Sequence, residues 1–163
     1  MLPNILATKT RKILASILVS SSLAASVATY EGFRPVAYRP LPQDVLTYGS
    51  GFTRRPDGSP VQAGDTISIE QNKIRLRKEL STFKSSIAKC ITVPLTENEA
   101  EAYISLSFNI GTQAFCKSTL VKKLNTYDYE GACKEILKWD MFKGKQLKGL
   151  TNRRVKEYKQ CLT

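Results

Sequence analysis

The chain reads as an α+β protein: a small β-hairpin lobe and a larger helical lobe, joined by a long helix. Three observations carry this reading. Between residues 31 and 66, Pro35, Pro40, Pro42, Pro56 and Pro60 alternate with Gly49, Gly51, Gly58 and Gly64, which forbids any long helix. From residue 68 onward, apolar residues recur at helical spacing, beginning with Leu76, Leu80, Phe83 and Ile87. Two capping boxes, Ser68-Ile69-Glu70-Gln71 and Thr96-Glu97-Asn98-Glu99, mark helix starts in that same half. The 163 residues suffice for one domain, or two small lobes sharing a core, without a metal to hold them.

The first element is residues 1–30. Lys9, Arg11 and Lys12 form a basic flank, and the eighteen residues Ile13 to Tyr30 carry no charge. That is an export pattern, with the positive end staying cytoplasmic. At ~1.5 Å per residue the run just reaches across a hydrocarbon core of ~30 Å. It is weakly apolar, since Ser, Ala and Thr supply ten of its eighteen positions. Three readings stand. Ser26-Val27-Ala28 offers a signal-peptidase site. A permanent anchor would fit the length but not the polarity. A temporary anchor that later leaves the bilayer and packs as the first helix of the folded domain fits both, and is the reading preferred.

The remainder, residues 31–163, is expected to form one domain. Residues 31–66 are the hairpin lobe: Val45, Thr47, Tyr48 and Phe52 suit short antiparallel strands, and Pro56-Asp57-Gly58 is a turn. Residues 68–90 form the connecting helix, with Leu76, Leu80, Phe83 and Ile87 on one face. Residues 91–163 form the helical lobe. Its helices run from Thr96 to a stop at Gly111, from Ser118 to Leu124, from Asp128 through Ala132, Ile136 and Trp139, and from Thr151 or Asn152 to the end. Gly144 and Gly149 flank a basic loop. A cleft between lobes is the expected ligand site.

Composition excludes several chemistries. With no histidine, Ser-His-Asp and Cys-His catalysis and the usual zinc sites are ruled out, and no metal or cofactor is expected. The net charge of +11 favours a polyanionic partner. The export pattern argues against nucleic acid. Cys90, Cys116, Cys133 and Cys161 are even in number and widely spaced, which in an exported chain means two disulfides.

Against this frame one stretch stands out. Glu31 is the first carboxylate of the chain, directly after the uncharged run. Glu31-Gly32-Phe33-Arg34 with Ala37-Tyr38, then Thr47-Tyr48-Gly49-Ser50-Gly51, resembles the active-site hairpin of phage-type lysozymes, glycoside hydrolase family 24. Leu106-Ser107-Phe108-Asn109-Ile110-Gly111, Phe115-Cys116 with Ser118-Thr119-Leu120, and Gly149-Leu150-Thr151-Asn152-Arg153-Arg154 ending at Glu157 extend the resemblance in order to the C-terminus. The N-terminal segment resembles the signal-arrest-release anchors of some phage endolysins. The resemblance implies a lysozyme-like fold and a monomeric muramidase acting on peptidoglycan glycan strands. It also implies tethering to the inner membrane through residues 13–30 before release into the periplasm.

Glycosidic cleavage needs a carboxyl to protonate the leaving oxygen and a group on the other face of the sugar to direct the nucleophile. The resemblance gives the first role to Glu31, with inversion at the anomeric carbon, and burial against the first helix and hairpin is expected to keep such an acid protonated. The second role departs from the family pattern. Where an Asp or Cys belongs, nine positions after Glu31, this chain has Pro40, and the Thr of the pattern is Thr47, one residue late. Asp44 is the only acid between Glu31 and Asp57, so it is the candidate partner, with Thr47 holding the water. As a turn residue Asp44 would do neither job. Hydrolysis and a lytic transglycosylase reaction, in which the sugar's own hydroxyl attacks, both stay open, as does a non-catalytic wall-binding relative.

Of the remaining features, Asn109 and Gly111 are expected to shape a helix end, Trp139 to lie in the core, and Arg153 and Arg154 to form ion pairs or a solvated face. The lysines at 143, 145 and 148 serve solubility. The expected disulfides are Cys90–Cys116 and Cys133–Cys161. No cysteine lies in residues 1–89, so activation cannot proceed by moving a disulfide onto the hairpin and must come from refolding of the hairpin lobe.

Overall fold

The computed structural model describes residues 9–163. Residues 1–8, part of the expected export segment, lie outside the described residues. The described residues form two compact units: residues 19–82, and residues 9–18 together with Phe83–Thr163.

The unit of residues 19–82 begins with helix α1 (Ser21–Glu31), capped by Ser20, whose hydroxyl accepts from the Leu23 N–H at 3.0 Å. Gly32, at φ +73°, ends it. The chain then runs into β1 (Arg34–Tyr38) and returns as β2 (Thr47–Gly49). The strands are antiparallel, with Arg34 opposite Gly49 and Tyr38 opposite Thr47. Four steps on β1 therefore face two on β2, so β1 bulges between Arg34 and Tyr38. The other edge of β1 takes the segment around Thr66, through Ala37 N–H to Asp65 O at 2.8 Å and Ile67 N–H to Pro35 O at 2.9 Å. The expected Pro56-Asp57-Gly58 turn is present: Asp57 accepts from both the N–H and hydroxyl of Ser59, and Gly58 sits at φ +88°.

Helix α2 (Ile69–Ile87) starts at the anticipated capping box, in which Gln71 N–H donates to the Ser68 hydroxyl and Ser68 N–H to the Gln71 side chain. Leu76, Leu80 and Ile87 are fully buried, as their spacing predicts. Asn72, one turn before Leu76, occupies the same inward stripe. Its side chain accepts from Ser50 N–H at 2.8 Å and donates to the Ser50 hydroxyl at 2.9 Å, fixing the end of β2 to α2.

In the other unit, α3 (Glu97–Ile110) opens on a complete Thr96/Glu99 capping box. Helices α4 (Thr112–Cys116), α5 (Thr119–Leu124) and α6 (Tyr129–Glu135) follow, then a 3₁₀ turn over Ile136–Lys138. Tyr103, Ile104, Leu106, Phe115, Leu120, Leu124 and Ile136 form its core. Strands β3 (Met141–Phe142) and β4 (Lys145–Gln146) make a two-residue hairpin in place of the expected loop, with Lys143 and Gly144 both at positive φ. Helix α7 begins at Lys148, earlier than the expected Thr151 or Asn152, and runs to Leu162. Gly149 falls in its first turn, and its entropic cost of about 1 kcal/mol is outweighed by the burial of Arg153, Arg154, Glu157 and Cys161 further along the helix. Trp139, expected in the core, is half-exposed because the 3₁₀ turn ends at it and the chain leaves the helix axis.

Arg153 and Arg154 do form ion pairs, but in the interior. Arg153 Nε and Arg154 Nε lie 3.0 Å from the two Glu157 oxygens, and Arg154 also donates to Asn109 at 2.9 Å. Ser105 donates to Glu157 at 2.6 Å. Burial pushes the Glu157 carboxyl up, and Arg154, Ser105 and Arg153 pull it back. The disulfides are Cys90–Cys116 and Cys133–Cys161, the pairing expected from sequence.

The uncharged run does not fold as one helix. Leu14–Ser16 form a 3₁₀ turn, Ile17 is extended, residues 18–20 are irregular, and α-helix starts only at Ser21. Leu14, Ile17, Val19, Leu23, Ala24 and Val27 are buried, whereas Ile13 and Leu18 face solvent. The basic flank is also used: Arg11 bonds Glu99 at 2.7 Å and stacks over Tyr129 at 3.6 Å, and Lys12 pairs with Leu95 through the backbone. Among the described residues no helix is long and apolar enough to cross a membrane.

Candidate active site

Glu31 is the last residue of α1. The hairpin expected around it is present, with all three candidate residues in the unit of residues 19–82. Their order along it follows from the register. Glu31 stands three residues before Arg34, at the end where β1 meets Gly49. Thr47 lies opposite Tyr38, about 7 Å further along β2 at the usual rise per residue. Asp44 lies beyond that, in the connection between strands.

Their environments differ. Thr47 is buried, and its hydroxyl donates to Val45 O at 3.2 Å. With its proton committed, that oxygen is left as an acceptor, and a water donating to it would turn a lone pair outward. Asp44 is half-buried and held through its backbone: its N–H donates to Leu41 O at 2.9 Å and its carbonyl accepts from Arg39 at 2.5 Å. Glu31 is solvent-exposed, where burial was expected. The reason is local: the helix ends on Glu31, and Gly32 carries the backbone away without covering it.

Sequence reading missed two supports of this hairpin. One is the Ser50–Asn72 pair. A polar residue four before Leu76 on an otherwise apolar stripe is the signal that would have found it. The other is Gly49, at φ +60°, where an added Cβ would stand 2.5 Å from Asn72 Oδ1 and 3.0 Å from the Phe52 ring. The glycine is required because Asn72 reaches past it to Ser50.

A separate groove of about 880 Å³ in the same unit is lined by Tyr48, Arg54, Ile74, Arg75, Lys78 and Glu79 among others, and by none of Glu31, Asp44 or Thr47. Arg75 crosses it, stacked on Phe52 at 4.1 Å and bonded to the Tyr48 hydroxyl at 3.2 Å. Burial pushes the Glu79 carboxyl up, with Arg75 opposing. Tyr48 of β2 forms one wall of this groove, and Asp57, Asp65 and Glu79 are the acids that line it.

Comparison with known proteins agrees with the hairpin. The phage lysozyme family profile matches residues 28–157. An endolysin of Acyrthosiphon pisum secondary endosymbiont phage 1 is 41% identical over 135 residues, covering 80% of this chain and 88% of that protein. A SAR-endolysin of bacteriophage PS34 is 33% identical over 149 residues, covering 90% and 87%. Among solved structures, a mutant of the lysozyme of phage P22 superposes with a TM-score of 0.81 at 32% identity, covering 90% of this chain and 99% of that one. With the profile spanning the α1–β1–β2 hairpin and most of the helical unit, the chain belongs to the phage lysozyme family and is an endolysin-type glycoside hydrolase.

Proposed function

We propose that this lysozyme cleaves the β-1,4 bonds of peptidoglycan with Glu31 as general acid, as expected of glycoside hydrolase family 24. The observation that carries the assignment is the order Glu31, Thr47, Asp44 along one hairpin. Glu31 gives its proton to the leaving glycosidic oxygen. A water that donates to Thr47 Oγ1 attacks the anomeric carbon from the opposite face, and Asp44 is the carboxylate available to take its proton. The sugar hydroxyl formed by the incoming water is then inverted. Pro40, standing where the pattern has an acid, favours a second reading: the glycan's own hydroxyl replaces the water, and a single carboxyl suffices. On purified peptidoglycan, hydrolysis yields new reducing ends and the second reading yields anhydro ends. Glu31→Gln is expected to remove either product.

Residues 13–30 serve, in this reading, as a temporary inner-membrane anchor, and the released enzyme works in the periplasm as a monomer. Two facts support this. Relatives at 33–34% identity carry the name SAR-endolysin. And the segment has two incompatible uses: as a membrane helix it would be continuous, yet in the folded enzyme it contributes six buried side chains and is helical only from Ser21. Fractionation of expressing cells is expected to find the full-length chain first with membranes and later soluble in the periplasm at unchanged mass. A mass reduced by some thirty residues would mean cleavage instead.

A further inference from the structure

We propose that Arg77 is a positioning residue for the catalytic acid, acting through the backbone of Val19 and helix α1; this rests on the reading of Glu31 as that acid. Arg77, on α2, donates from Nε to the carbonyl of Val19 at 2.9 Å. Val19 is the residue before the Ser20 cap; the Ser20 carbonyl already accepts from Ala24 N–H at 3.3 Å, so Val19's is the last carbonyl outside the helical bonding of α1. At the far end of α1 stands Glu31.

α1 has little of its own to fix its axis. It is eleven residues long, rich in Ser, Ala, Val and Thr, with no acid in its first turn. Helices this short are marginal alone and take their placement from tertiary contacts. Only Leu23, Ala24 and Val27 are buried along it. The charge-assisted bond from Arg77 and the Ser20 cap therefore hold its N-terminal end. The helix is about 16 Å long, so a pivot of roughly 7° about its middle moves Glu31 by about 1 Å, a misplacement that costs up to about 100-fold in rate.

The same device recurs seven residues along the same face of α2. In the other unit, Lys84 donates to Ile17 O at 2.8 Å and to Ala15 O at 3.3 Å. Ala15 lies in the 3₁₀ turn and Ile17 and Val19 in the segment after it, where Ile17 and Val19 are buried and Leu18 is exposed. Two cations on one helix face thus bond carbonyls of a stretch that is not α-helical. A continuous membrane helix would pair those carbonyls internally, so the arrangement belongs to the folded enzyme alone.

The test uses the full chain with Arg77→Met, which keeps the stem and removes the donor, and Arg77→Lys, which restores a cation. Steady-state rates on peptidoglycan are measured beside circular dichroism and thermal melting, with Glu31→Gln alongside. The expected result is a kcat for Arg77→Met lowered by about tenfold or more with KM within twofold, recovered to within threefold by Arg77→Lys. Wild-type kcat in Arg77→Met overturns the proposal. So does a loss of activity that only tracks the fraction of unfolded protein, or that Arg77→Lys fails to recover while folded. Full activity in Glu31→Gln instead overturns the underlying reading of Glu31, whatever Arg77 does.

Discussion

Glu31 and Thr47 differ in burial: Glu31 is exposed and Thr47 is enclosed. Thr47 is buried and its hydroxyl is oriented by Val45, so it is a prepared acceptor. Thr47→Ala is expected to lower kcat by about 10- to 100-fold, because the water loses its bond, while Thr47→Ser keeps most of the rate. Glu31→Gln should lose at least about 100-fold, the usual worth of a general acid. Asp44→Asn separates the two readings of the second acid: a loss comparable to that of Glu31→Gln marks Asp44 as the base. A change of less than threefold leaves it as a turn residue held by Leu41 and Arg39. The position of Glu31 was legible in the sequence because the motif around it is dense. Its exposure was not, since whether a helix ends at or after a given residue turns on the Gly32 backbone and not on apolar pattern.

At the scale of elements, the hairpin is held by contacts that no periodicity reports. Gly49→Ala is expected to destabilise it by about 1–3 kcal/mol, since the site is at φ +60° and the methyl meets Asn72; denaturant unfolding measures this. Asp65 ties the strand beside β1 to the Pro56 turn through Arg55, at 2.7 Å. The Arg55 guanidinium, with the Gln62 N–H, holds its carboxyl down at about 2. A folded value below the unfolded ~3.9 means that this contribution is full above pH ~4 and is lost as pH falls through about 2. Carboxyl-detected NMR titration of Asp65 is expected to show that depressed midpoint, and Arg55→Gln to bring it back toward the ordinary range. The capped helices α2, α3 and α5 were readable because caps are local. The early start of α7 at Lys148 was not, because Gly149 reads as a loop residue and only the packing of the rest of the helix outweighs it. The β3–β4 hairpin was missed for a similar reason: Lys143 takes a positive φ that sequence reserves for glycine or asparagine.

For the whole molecule, the sequence carried the two-part architecture, the disulfide pairing and the basic charge of +11. It did not show that the N-terminal segment is divided, its first part packing with the helical unit and its second with the hairpin unit. An uncharged run looks the same whether it will be one membrane helix or a turn, a strap and a short helix; the buried partners decide, and they lie far away in sequence. The helical unit carries its own stabilisers. Opening Cys133–Cys161, which closes 28 residues, is expected to cost about 3–4 kcal/mol. Glu157→Gln leaves two buried guanidinium groups short of a counter-ion and is expected to cost about 3–5 kcal/mol, read as a lower unfolding midpoint in urea. Both changes lie in the helical unit and none of the three candidate residues does, so residual folded protein is expected to keep its specific activity. The chemistry of the hairpin is read most directly from the glycan ends released from peptidoglycan by the wild type and by Glu31→Gln. New reducing ends from the wild type, reduced by about 100-fold or more in the variant, are the predicted result. Anhydro ends, or equal release by both proteins, would contradict it.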